Sequence, residues 1–123
     1  NVPVCAIACE TDHIAAWGSS YNGVGKMGSS DKTFILSESG HIAGIVNPPS
    51  KNKYGHYTNE NMKLGPDEWF ESAEFSEGSW WPRWESWLKK RSGKQVPARD
   101  ISDSGRPSLA PAPGTYVRIK ARS

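Results

Sequence analysis

Two side chains in this sequence could share proton-transfer chemistry: Asp12, in Glu10-Thr11-Asp12-His13, and His41, in Ser39-Gly40-His41-Ile42. Each lies just past a short apolar run, residues 2–9 for the carboxylate and residues 33–36 for the imidazole. A carboxylate within hydrogen-bond reach fixes an imidazole's tautomer and stabilises its protonated form. The other ring nitrogen is then free to take a proton from a nucleophile. Taken singly, His41 reads as an ordinary loop histidine and Asp12 as a cap for the following helix. Taken together, beyond the ends of consecutive strands, they read as an acid and a general base. His13 divides evenly between structural hydrogen bonding and substrate contact, and His56 reads as a loop residue.

No nucleophile accompanies the pair. Cys5 and Cys9 lack the flanking glycines of a sharp strand-to-helix turn and fall inside a predicted strand, where they read as small core hydrophobes. Four positions apart on one strand face, they stand about 13 Å from each other, too far for a disulfide. Two such cysteines require no oxidising compartment and fit a cytoplasmic protein. Three His and two Cys show no zinc-type spacing, so metal binding reads poorly.

The elements that must position Asp12 and His41 form a βαβ unit. Residues 2–9, Val-Pro-Val-Cys-Ala-Ile-Ala-Cys, read as a strand buried on both faces. Trp17, Tyr21, Val24 and Met27 or Gly28 then fall on one helical face. Gly18, Gly23 and Gly25 each weaken that helix by roughly 1 kcal/mol. Thr33–Leu36 is the second strand. In open α/β sheets functional groups collect beyond the carboxyl ends of the strands, where Asp12, His13 and His41 all stand. Residues 47–65 read as a long loop stiffened by Asn47-Pro48-Pro49. Pro66 opens a helix with Asp67 and Glu68 in its first turn and Trp69, Phe70 and Ala73 as its apolar side. Trp80, Trp81, Trp84, Trp87 and Leu88 follow helical spacing, ending in Lys89-Lys90-Arg91 and Gly93. That tryptophan stripe reads as packing against the sheet. Residues 94–123 read as a mostly extended tail, with residues 115–120, Thr-Tyr-Val-Arg-Ile-Lys, as an edge strand.

Bulk properties narrow the function classes. Among 123 residues there are 12 Gly and 9 Pro, which implies much loop, and charged residues reach 23% against 36% hydrophobic. A net charge of +2 gives no argument for nucleic acid, and no apolar run approaches the length of a membrane span. Six Trp are a large apolar payload for a chain this short. The first strand is too apolar for a two-stranded sheet and expects further neighbours. With the missing nucleophile and a first residue, Asn1, that is not Met, this predicts a piece of a larger enzyme.

Four segments in order carry a resemblance: Thr11–Trp17 (TDHIAAW), Ser39–Asn59 (SGHIAGIVNPPSKNKYGHYTN), Gly78–Leu88 (GSWWPRWESWL) and Ala112–Ala121 (APGTYVRIKA). Together they resemble the C-terminal end of class I polyhydroxyalkanoate synthases, bacterial enzymes that polymerise (R)-3-hydroxyacyl-CoA into storage polyester with release of CoA. The family usually carries Pro where Ala16 stands and a more Ala/Leu-rich helix where this chain has Gly18, Gly23, Gly25 and Gly28.

The resemblance implies the C-terminal portion of an α/β-hydrolase fold, with residues 1–93 in the catalytic domain and 94–123 as the tail. It implies a Cys-Asp-His triad in which Asp12 is the carboxylate and His41 the general base, with His13 matching a further family histidine that positions substrate, and a mechanism that requires no metal or other cofactor. The nucleophilic Cys would belong to an N-terminal remainder, so the chain alone is expected to be inactive. The implied partners are the hydroxyacyl-CoA, the growing polyester, that remainder and the surface of cytoplasmic polyester granules. The resemblance also allows a homodimer of the intact enzyme. The alternatives are the end of another α/β-hydrolase, an esterase or polyester depolymerase, and a non-catalytic granule-binding module.

Overall fold

A computed structural model describes residues 1–100 and 104–121. The chain divides into two compact units, 1–92 and 93–123.

The first unit is a mixed α/β structure. Strand β1 (Val4–Cys9) leads to helix α1 (Trp17–Gly25) and strand β2 (Lys32–Ser37). These strands are parallel neighbours in register from Val4↔Lys32 to Cys9↔Ser37. Strand β3 (His56–Thr58), helix α2 (Pro66–Glu71), strand β4 (Glu74–Ser76) and helix α3 (Trp81–Lys89) follow. The sheet order is β1-β2-β3-β4, with β3 antiparallel to both its neighbours.

The period-2 alternation of a strand divides β1 and β2 between two faces. Val4, Ala6 and Ala8 of β1 and Phe34 and Leu36 of β2 join one core with Tyr21, Val24 and Trp69. Trp69 is fully buried between two rings, with centroids 5.4 Å from Tyr21 and 5.4 Å from Phe34. Helix α1 forms despite its glycines because Tyr21 and Val24 are buried and Trp17 packs on Phe70; tertiary packing supplies most helical stability in folded chains. It ends earlier than its apolar spacing suggests, and Met27 is exposed. Helix α2 begins at Pro66 as expected, and the Glu68 carboxylate reaches back to accept the Gly65 N–H.

Four expectations are corrected. Strand β1 is half-buried over its first four residues, with only Ala8 and Cys9 buried, because it is an edge strand of the sheet among the described residues. The loop expected over 47–65 contains β3, and His56 is a buried strand residue whose Nδ1 meets the Gly78 carbonyl at 3.0 Å. Strand β4 was not expected at all; three residues are too few for a period to show, and Phe75 opposite Tyr57 carries the pairing. Asp12 does not cap α1, whose N-cap is Ala16.

The second unit, described by itself, has little regular structure. The edge strand expected over residues 115–120 is instead a 3-10 helix, Tyr116–Arg118. Its backbone closes locally, with the Arg118 N–H on Thr115 O and the Ile119 N–H on Tyr116 O. A strand needs a neighbour to satisfy those groups, and no strand of this unit lies among the described residues. The tail as read from sequence also includes residues 101–103 and 122–123, which lie outside the described residues.

Candidate functional site

The β1–β2 pairing continues past both strand ends, and that continuation sets the site. The Glu10 N–H bonds Ser37 O at 2.9 Å and the Thr11 N–H bonds Ser39 O at 3.1 Å. The chain after β1 then turns tightly, with the Asp12 N–H on Cys9 O. The chain after β2 turns through Ser39, at a positive φ of 73°. Both turns therefore start from the same pair of rungs, and the side chains of Asp12 and His41 converge.

His41 Nδ1 lies 2.7 Å from Asp12 Oδ2. The other oxygen, Oδ1, accepts the backbone N–H groups of Ile14 at 2.8 Å and Ala15 at 2.9 Å. The Asp12 side chain is 7% exposed and that of His41 48%. The Ala15 N–H and then the His41 ring hold the Asp12 carboxyl down at about 2, with a smaller part from Ile14 and against the opposing effect of burial. An ionised carboxylate only accepts, so His41 Nδ1 carries the proton and donates it. Nε2, the other ring nitrogen, has no hydrogen-bond partner among the described residues. The pair borders a cleft of about 170 Å³ lined also by Ile7, Cys9, Ser20 and Ile45.

The His41 segment is a single turn, closed by the Gly44 N–H on Gly40 O and the Val46 N–H on Ile42 O. Its trailing carbonyls have partners from elsewhere in the fold. Gly44 O accepts the Ser37 hydroxyl at 2.9 Å and the Trp80 indole N–H at 3.0 Å. Ile45 O accepts the Trp81 indole N–H at 3.0 Å. Gly44 is seated so deeply that a Cβ there would stand 2.6 Å from Cys9 Sγ and 2.6 Å from Glu38 O. Downstream, buried Asn47 donates to Tyr54 O at 2.8 Å and ties the following loop back on itself.

Relatives of known activity match almost the whole chain. It is 46% identical over 122 residues to the poly(3-hydroxyalkanoate) polymerase of Methylorubrum extorquens. It is 41% identical over 123 residues to the poly(3-hydroxyalkanoate) polymerase subunit PhaC of Rhizobium meliloti, and 37% identical over 122 residues to that of Cupriavidus necator. The chain is homologous to poly(3-hydroxyalkanoate) polymerases. Each match covers 98% of this chain and 20% of the relative, so the chain spans about a fifth of the length of these polymerases. No family model matches the chain.

Within this stretch, homologous to a fifth of those polymerases, the residues singled out from sequence fall into two groups. Asp12 and His41 come together. His13, their neighbour in sequence, is exposed and makes no side-chain hydrogen bond among the described residues. Cys9 borders the same cleft, where burial and then the Asp12 carboxylate push its thiol above the ordinary thiol range, the opposite of what activates a nucleophilic cysteine. Cys5 is a second free thiol, half-buried. No group of three or more His, Cys, Asp or Glu suited to a metal ion occurs among the described residues. No helix among them is long and apolar enough to cross a membrane.

Sequence reasoning missed the groups that hold the His41 turn: Ser37, Gly44, Trp80 and Trp81. Helical spacing marked the two tryptophans as packing residues, and only their N–H groups carry the further role. The available signal is chemical: a buried indole N–H usually finds an acceptor, as those of Trp80 and Trp81 do and that of Trp87 does not.

Proposed function

We propose that this chain is the acid- and base-bearing part of a poly(3-hydroxyalkanoate) polymerase, the C-terminal portion of an α/β-hydrolase catalytic domain over residues 1–93 followed by a tail over 94–123. The observation that carries the reading is the 2.7 Å contact between His41 Nδ1 and an Asp12 carboxylate whose other oxygen is held by two backbone N–H groups. It leaves Nε2 without a hydrogen-bond partner among the described residues, on a ring that lines a cleft, the arrangement a general base for a thiol nucleophile requires.

The reaction then runs on a Cys supplied by the remaining length of the polymerase. His41 Nε2 takes the thiol proton, and the thiolate attacks the thioester carbonyl of (R)-3-hydroxyacyl-CoA. The C–S bond to CoA breaks, CoA leaves with the proton from His41, and the acyl group remains on the Cys. The hydroxyl of a second hydroxyacyl unit gives its proton to His41 and attacks that acyl-enzyme carbonyl. An ester bond forms, and the departing thiolate recovers the proton. Asp12 stays ionised throughout and stabilises the imidazolium between transfers. His13, exposed and next to Asp12 in the chain, contacts substrate. The chain alone is inactive for want of the thiol; the intact enzyme works in the cytoplasm on polyester granules and forms a homodimer.

The decisive experiment replaces the homologous fifth of the Methylorubrum extorquens polymerase with this chain. The expected result is CoA release from 3-hydroxybutyryl-CoA, lost on His41→Ala, and none from the 123-residue chain by itself. CoA release that survives His41→Ala, or turnover by the isolated chain, would falsify the assignment.

A further inference from the structure

The turn that bears His41 ends in two carbonyls, Gly44 O and Ile45 O, and successive indoles 36 positions later donate to them. Trp80 is buried, and its ring packs on Trp81 at 6.2 Å and on Trp84 at 6.0 Å between centroids. The turn that presents the two indoles is itself fixed. Gly78 has a φ of +83°, and a Cβ there would fall 1.9 Å from the Asn52 side-chain oxygen. His56 holds the Gly78 carbonyl from β3, and the Trp81 N–H bonds the Ser79 hydroxyl at 3.1 Å.

Packing alone does not require this geometry. A Phe at either position would fill most of the same space, yet only an indole brings an N–H to the rim of the turn. The carbonyls at the end of a single isolated turn have no intrahelical partner, so their position depends on outside donors. Gly44 O has two, one from each side: Ser37 on β2 and Trp80 at the start of α3. The turn is thereby tied both to the strand that precedes it and to the helix that follows.

We infer that the Trp80 and Trp81 indole N–H groups are positioning groups for His41: they set the height of its turn over the strand ends, and so the contact of Nδ1 with Asp12 and the place of the ring at the cleft. The inference rests on the proposed role of His41 only for its effect on catalysis; its geometric content stands separately. A base displaced by about 1 Å can lose on the order of 100-fold in rate without loss of fold.

The test is the double variant Trp80→Phe/Trp81→Phe in the 123-residue chain, read by NMR at the His41 Nδ1–H proton. The expected result is loss of that hydrogen-bonded signal to solvent exchange, with the resonances of Tyr21, Phe34 and Trp69 unmoved. A matched pair separates the N–H from the bulk. Benzothienylalanine at both positions keeps the ring shape without the N–H and should lose the signal. 5-Fluorotryptophan keeps the N–H and should retain it. A Nδ1–H signal that persists with benzothienylalanine overturns the inference, as does global unfolding of the benzothienylalanine chain, since the N–H groups would then hold the whole fold. In the chimeric polymerase the Phe double variant should lower kcat by about 10- to 100-fold with KM little changed. If the unsubstituted chimera is inactive, the catalytic reading falls while the NMR result still decides the positioning role.

Discussion

Cys9 and Gly44 meet where β1 ends under the His41 turn, so closely that a methyl group on Gly44 would stand 2.6 Å from the Cys9 sulfur. The Glu38 carbonyl lies equally near, and the Gly40 carbonyl at 3.2 Å. Two of these three neighbours are backbone, so repacking a side chain cannot relieve the crowding. Gly44→Ala should therefore lift the turn off the sheet and cost about 1–3 kcal/mol, the usual range for overpacking. Urea denaturation followed by tryptophan fluorescence measures the cost. A stability equal to the parent's would show that the turn yields without resistance.

The Asp12 carboxyl titrates at about 2 in the folded chain against an ordinary 3.8. A depressed folded-state pKa gives stability that is fully present above the unfolded-state value and is lost as pH falls toward the folded one. The affected window is therefore about pH 4 down to about pH 2. Asp12→Asn removes this contribution while keeping an oxygen for the Ile14 and Ala15 N–H groups. The urea midpoint of the parent should fall more steeply than the variant's across that window. Parallel curves would mean that the carboxylate is not held by those N–H groups and His41 in solution.

The part of this architecture visible in the sequence is the part whose signals are local. A run of apolar residues ending at Cys9, just before Asp12, glycine-diluted helical spacing from Trp17, and a second apolar run ending before His41 give β1, α1 and β2, and with them the approach of Asp12 to His41. Pro66 with Asp67 and Glu68 marks the start of α2 for the same reason. Strands β3 and β4 are three residues each, too short to display alternation, and their pairing is decided by β2 and by the Tyr57–Phe75 contact. The role of His56 was hidden with them. What Trp80 and Trp81 do depends on carbonyls 36 residues away, a relation that no helical period encodes.

Replacing the carboxylate should damage catalysis more than folding. In the chimeric polymerase Asp12→Asn presents an amide to His41 Nδ1, which favours the tautomer with its proton on Nε2. That nitrogen then cannot take a proton from a thiol. By analogy with hydrolase triads, kcat should fall on the order of 10⁴-fold. Near-parent activity in this variant would remove Asp12 from the mechanism while leaving its structural role intact.

Trp69 anchors the core on the opposite side of the sheet from the Cys9–Ser37 register pair. It is fully buried, its N–H donates to Asn59 O at 3.1 Å, and Tyr21 beside it donates its hydroxyl to Leu64 O at 3.0 Å. Trp69→Ala should cost about 3–5 kcal/mol, a large part of a small domain's total stability. Tyr21→Phe should cost only about 1 kcal/mol, because the ring stays and one hydrogen bond is lost. Chemical denaturation of both variants measures the ratio, and equal costs would contradict the placement of Trp69 at the centre of the core.

Arg91 links the end of α3 to the start of β2. Its guanidinium carbon lies 4.1 Å from the Trp87 ring centroid, one nitrogen donates to Trp87 O at 2.9 Å, and the other meets Asp31 at 2.6 Å. The guanidinium side chain is 29% exposed and the carboxylate 46%, so solvent screens the ion pair. Planar stacking and two directed N–H groups are properties that an ammonium does not share. Arg91→Lys should therefore lose nearly as much as Arg91→Ala, about 1 kcal/mol in each case. Raising the salt concentration should shrink the ion-pair share of that loss and leave the stacking share. Full retention of stability in Arg91→Lys would show that charge alone, and not the shape of the guanidinium, joins α3 to β2.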